Sequence, residues 1–145
     1  MAPDPRRRPV RPAALRAALV IVDAFVALAA IGGGLALALG MEGGRFPLAW
    51  LEGTPFADYV APGLILAVAV GGSAAVATVA VVRDARGGGR ASVVAGAVLV
   101  AWIVGEMLVL TGDGEIMSPT ELVFLVTGAV TMALGAAVAR GGRTP

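Results

Sequence analysis

Four uninterrupted apolar runs constrain this chain more than anything else in it, because each is close to the length of about 20 residues that a helix needs to cross roughly 30 Å of hydrocarbon. They fall at about 14–39, 62–82, 92–112 and 120–139. Inside a bilayer the backbone N–H and C=O groups find no water, so a spanning segment must satisfy them internally as a helix or pair them in a closed barrel. Runs this long, without strict alternation of apolar and polar residues, read as helices. The predicted fold is therefore an all-α membrane protein, a four-helix antiparallel transmembrane bundle. A basic tail over 1–13 precedes it, one long loop over 40–61 interrupts it, and a short tail over 140–145 follows it. Composition agrees: 58% of residues are hydrophobic and only 14% charged, where a soluble domain carries about 25% charged residues.

The first run follows Arg6, Arg7, Arg8 and Arg11 and contains Ala36-Leu37-Ala38, which are marks of a cleavable signal peptide. Its apolar stretch nevertheless exceeds the roughly 7–15 residues of a signal core, and three further runs follow, so an uncleaved helix is predicted. Arginine placement sets the orientation. The N-terminal tail, the turn with Arg83, Arg86 and Arg90, and the C-terminal tail with Arg140 and Arg143 fall on one side, and Arg45 stands alone on the other. Positive residues stay inside, which places both termini and the 83–91 turn in the cytoplasm. All eleven basic residues are arginine and lysine, asparagine and glutamine are absent, a bias of GC-rich bacterial genomes. The expected location is the inner membrane of a bacterium.

Several chemistries are excluded outright. With no cysteine and no histidine, there is no disulfide, no thiolate nucleophile, no Ser–His pair and no zinc site built on those ligands. No cluster of oxygen ligands stands out either, so no metal and no cofactor is assigned. Ser73 and Thr78 lack a histidine or lysine base, and no paired acids stand at a catalytic spacing, so no catalytic residue is assigned and the chain is read as a non-enzyme. Gly87-Gly88-Gly89 lacks the strand-to-helix setting of a phosphate-binding loop. A net charge of +1 gives no reason to invoke nucleic acid.

Element boundaries are legible. Ser118-Pro119-Thr120-Glu121 reads as a capping box with proline in the first turn, so the fourth helix should begin there. Pro62 suits the opening turn of the second helix, where a missing N–H costs nothing. The arginine- and glycine-rich 83–90 segment is short enough to make the second and third helices an antiparallel hairpin. The long loop carries four of the seven aromatics, Phe46, Trp50, Phe56 and Tyr59. It is predicted to lie at the headgroup level, as an interfacial anchor or as a surface for a partner. Thr54-Pro55 is expected to cap one helical turn running through Asp58.

Helices in lipid associate through close packing, which favours small residues at their contacts. Gly32-Gly33-Gly34, Gly71-Gly72, Gly96, Gly105, Gly128 and Gly135 supply them. Two acids lie within the runs, Asp23 and Glu106. An ionised carboxylate at a span's centre costs about 2.5–3.5 kcal/mol on insertion scales, so both should face the bundle interior, a cavity or a partner. At about 1.5 Å per residue, Glu106 and Thr127 fall at one depth, and Asp23, Ser73 and Thr131 at another near the midplane. Two stacked polar layers are predicted, Asp23/Ser73/Thr131 and Glu106/Thr127, with Trp102 one turn before Glu106 and able to donate its indole N–H to it. Arg16 is expected to snorkel to the headgroups.

The arrangement PFADYVAPGL over 55–64, followed by VGGS over 70–73 and an acid in the third span, resembles small four-helix integral membrane proteins of actinobacteria whose function is uncharacterised. The resemblance covers most of the chain and implies lineage and fold, not an activity. Two functions fit the residues. An accessory or assembly protein, with the lipid bilayer and a membrane-protein partner or a second copy as its contacts, follows from the small-residue faces and the aromatic loop. A small proton-coupled transporter follows from Asp23 and Glu106, because a carboxyl that can be neutral in the membrane can load and release a proton. Whichever holds, cysteine introduced at position 23 or 106 should resist labelling by a lipid-phase reagent. Ready labelling would sink the polar interior.

Overall fold

The computed structural model describes residues 12–41, 43–110 and 118–141. All regular structure among them is helical, and four helices are long and apolar enough to cross a membrane. The first is Pro12–Ala38, the second Val60–Val82, the third Gly88–Leu110 and the fourth Pro119–Gly141. A short 3-10 turn, Leu48–Leu51, lies in the loop between the first two. The loop sits at one end of the bundle and the 83–87 turn at the other, so they are called here the loop end and the turn end.

The third helix starts four residues before its expected boundary at 92. The chain reverses tightly after the second helix: Asp84 takes a left-handed φ of 54° and Gly88 N–H donates to Ala85 O at 2.8 Å. Gly88 and Gly89 are poor helix formers, but Gly89 is held in the helix by its contact with the fourth. The fourth helix starts as its capping box requires. Ser118 N–H donates to Glu121 Oε2 at 2.7 Å, and Glu121 N–H reaches Ser118 Oγ at 3.5 Å. The second helix widens into a π-helical segment at Leu66–Gly71, a feature the sequence did not announce.

The loop differs from expectation in one respect. The helical turn is Leu48–Leu51 and not one capped by Thr54. Thr54 Oγ1 instead donates to Leu51 O at 2.8 Å and accepts Phe56 N–H at 3.2 Å, which closes the chain after the turn. Asp58 Oδ1 accepts Val60 N–H at 3.0 Å and so serves the start of the second helix.

Glycine sets the helix pairs. A Cβ built on Gly34 would lie 2.5 Å from Gly63 O, and one on Gly63 would lie 2.5 Å from Gly34 O, so these two backbones touch at the loop end of the first and second helices. Gly71 meets Ile31 in the same interface. The third and fourth helices touch at Gly89 and Gly135, with Cβ-to-carbonyl distances of 2.6 and 2.7 Å, and again at Gly96 and Gly128. Such contacts bring Cα–H groups against carbonyl oxygens, a weak but repeated attraction. Gly32, Gly33, Gly72 and Gly105 have nothing within reach of an added Cβ and make no such contact. Gly63 and Gly89, which pattern reading did not single out, are essential partners. The core between the pairs is correspondingly small-chained, built from Val26, Ala27, Ala30, Val70, Ala74 and Ala77 with Ala95, Leu99 and Ile103.

Large apolar side chains point the other way. Leu28, Val68 and Leu108 are 75%, 72% and 78% exposed, a distribution that only a lipid surround makes favourable. Adding a methyl at Gly63 or Gly135 should lower stability by about 1–3 kcal/mol, because backbone must move to admit it. Gly32→Ala should be neutral or gain up to about 1 kcal/mol from helix propensity. Thermal unfolding of the purified protein in one detergent reads all three.

Candidate functional site

The two helix pairs are joined to each other at the turn-end half. Asp23, in the first helix, is completely buried, and its Oδ2 accepts the Ser92 hydroxyl of the third helix at 2.5 Å. Ser92 Oγ also lies 3.4 Å from Gly88 O, one turn back on its own helix. Ser92 sits against Gly135, whose added Cβ would be 3.1 Å from the serine Cβ, and Thr131 lies one turn along the fourth helix from there. Thr131 is buried as well, and neither its Oγ1 nor Asp23 Oδ1 has a hydrogen-bond partner among the described residues.

The expected layer of Asp23, Ser73 and Thr131 is thus corrected in one member. Ser73 is only half-buried, and its hydroxyl donates to Val70 O at 3.0 Å within its own helix. Ser92 takes the place, and it escaped notice because the third span was expected to begin at 92 itself. A signal existed: Gly89, Ser92 and Gly96 recur at the three- and four-residue spacing of a small-residue face. Below this level Arg16 does not simply snorkel. Its guanidinium pairs with Asp84 Oδ1 at 2.5 Å and donates to Val81 O at 2.9 Å, tying the first helix to the turn that follows the second. Asp84 is 80% exposed, so this pair contributes at most about 1 kcal/mol.

At the loop-end half the pairs stand apart and leave a half-open chamber of about 630 Å³ between them. Its floor includes Val26, Ala30, Leu66, Leu99 and Ile103, about one turn above Asp23, which does not line it. Trp102, Glu106, Glu121 and Phe124 form the wall contributed by the third and fourth helices. Phe46, Leu51, Phe56 and Tyr59 of the loop line it too, as do Ser118 and Thr120 at the start of the fourth helix. Aromatic packing holds that part of the loop: Phe46 meets Trp50 edge-on with centroids 6.0 Å apart, lies 5.9 Å from Tyr59, and Tyr59 Oη donates to Pro47 O at 3.0 Å. Trp50 is on the far side of this cluster, half exposed, and does not line the chamber.

Glu106 faces the chamber. Trp102, one turn before it on the same helix, and Glu121 of the fourth helix line the same chamber. Thr127, expected beside Glu106, is elsewhere: its hydroxyl donates to Val123 O at 2.7 Å in its own helix, and it does not line the chamber. The reciprocal Gly96–Gly128 contact sets Thr127 level with Ala97, about two turns nearer the turn end than Glu106, so the depth count itself misplaced it. Glu121 was read only as a helix cap; its place in the wall needed the tertiary arrangement. Among the described residues no cluster of three or more acids stands ready to hold a metal ion.

No protein-family model, no curated protein and no solved structure matches the chain.

Ser92→Ala should cost about 1–3 kcal/mol, because Asp23 Oδ2 would lose its donor in a buried site. In a double-mutant cycle with Asp23→Ala the effects should be strongly non-additive. Additive losses in thermal unfolding would mean the two side chains do not act on each other.

Proposed function

We propose that this chain is a non-enzymatic accessory protein of the bacterial inner membrane, oriented with its termini and the 83–87 turn in the cytoplasm, which holds a small, mainly apolar ligand in an outward-facing chamber. The observation that carries this reading is the chamber itself. Its volume of about 630 Å³ falls inside the roughly 300–1,000 Å³ typical of small-molecule sites, and apolar walls with a few convergent polar groups are the usual make-up of such sites. The arginine asymmetry supports the orientation, and the resemblance to uncharacterised actinobacterial four-helix proteins supports the lineage.

Assembly with another membrane protein has less support than the sequence alone offered it. The glycine faces that invited a partner are largely consumed within the chain, at Gly34/Gly63, Gly89/Gly135 and Gly96/Gly128. Phe46, Phe56 and Tyr59 are likewise turned to the chamber. A second reading, a small proton-coupled transporter, is favoured by one observation: two acids at different depths, Glu106 on the chamber wall and Asp23 sealed beneath its floor. Alternating access would require the Asp23–Ser92 junction to open.

A photo-crosslinker at Phe56 should capture small molecules or lipid, and one at Trp50, outside the chamber, should capture no discrete protein. Capture of the same protein from both positions would replace the ligand by a protein partner. Proton flux in reconstituted vesicles separates the second reading: flux abolished by both Glu106→Gln and Asp23→Asn would make the chain a carrier, and no flux above empty vesicles would leave it a binding protein.

A further inference from the structure

The charge of the chamber narrows its ligand, an inference that rests on the binding role proposed above. Among the described residues its lining carries two carboxyl side chains, Glu106 and Glu121, and no basic side chain. Apart from the hydroxyl residues Ser118 and Thr120, the remainder is apolar or aromatic, with Trp102, Phe46, Phe56, Tyr59 and Phe124 contributing rings. Glu121 is partly committed, since one of its oxygens accepts the Ser118 N–H at the start of the fourth helix. Glu106 stands within the span, on the chamber wall, with the Trp102 ring one turn away in the same lining.

Low-dielectric walls bearing charge of one sign focus the potential in the space between them. A neutral apolar guest would gain nothing from the two carboxyls, and an anionic guest would be repelled by them. A cation with an apolar body gains on every wall: its charge against Glu106, its methyl or methylene groups against aromatic faces, whose negative quadrupole attracts cations, and its tail against Val26, Ala30, Leu66 and Leu99. A small hydrophilic cation would lose its hydration without recovering enough contacts, because the chamber offers few polar atoms apart from the carboxyls.

We infer that the chamber is a binding site for lipophilic monovalent cations, amines or quaternary ammonium compounds, whose charged group pairs with Glu106 beside Trp102 and whose apolar part fills the floor.

The chain has two tryptophans, so Trp50→Phe leaves Trp102 as the single reporter. In nanodiscs of a neutral lipid, its fluorescence would be followed against bromohexyltrimethylammonium and against bromohexanol, a neutral quencher of the same chain. Saturable quenching by the cation, at least about tenfold weaker in Glu106→Gln, with only weak quenching by the alcohol, is the expected result. Gly33→Leu serves as a filled-chamber control. Gly33 lines the chamber and a Cβ there meets nothing within 4 Å, so the leucine occupies ligand space without disturbing packing. It should abolish saturable quenching by either compound. Equal, saturable quenching by both compounds, lost in Gly33→Leu but indifferent to Glu106→Gln, would overturn the charge selectivity and leave the chamber a neutral binding site. Quenching that is linear in both compounds and unchanged in Gly33→Leu would overturn the binding role as well.

Discussion

Lipid removes the force that assembles soluble bundles. Hydrocarbon is as apolar as leucine, so helices in a bilayer hold together only where their surfaces meet more closely with each other than with acyl chains. In this chain that closeness comes from reciprocal glycine contacts, in which the backbone of one helix rests on the backbone of another. Everything else follows from where those contacts fall. Large aliphatic side chains are released to the outside, small ones are kept for the core, and helix axes approach nearest at the glycine levels.

Those levels are unevenly distributed. Gly34 and Gly63 close the first pair at the loop end, whereas Gly89 with Gly135 and Gly96 with Gly128 close the second pair at the turn end and midway. The two pairs meet through Asp23 and Ser92 near the turn end. Among the described residues nothing comparable joins pair to pair at the loop end, where the chamber lies. It is not a defect in packing: aromatic loop residues line it, and the Trp102–Glu106 pair stands in its wall.

The two intramembrane acids consequently occupy different environments. Asp23 has a short hydrogen bond to a serine and no solvent-accessible surface, which suits a clasp between helix pairs. Breaking such a clasp costs more than its net contribution to stability, since the freed carboxyl would remain buried. Glu106 lines a space large enough for a ligand, with a second carboxyl, Glu121, in the same lining. One fold therefore seals one acid between helices and leaves the other on a chamber wall.

The sequence by itself determined the number of spans, their approximate ends and the capping box at Ser118 and Glu121, because these depend on local hydropathy and on side chains bonding to their own helix. It also placed Trp102 one turn from Glu106, since residues four apart on a helix share a face. What it could not supply was which faces meet. Depth counting put Ser73 with Asp23 and Thr127 with Glu106, but counting from span ends fixes neither the register of one helix against the next nor the rotation of each about its axis, and nearly every face of these helices is apolar enough to face lipid. Register and rotation were decided by the glycine contacts between helices. They turned Ser92 toward Asp23, set Thr127 about two turns from the level of Glu106, and brought Glu121 and the loop aromatics to one chamber.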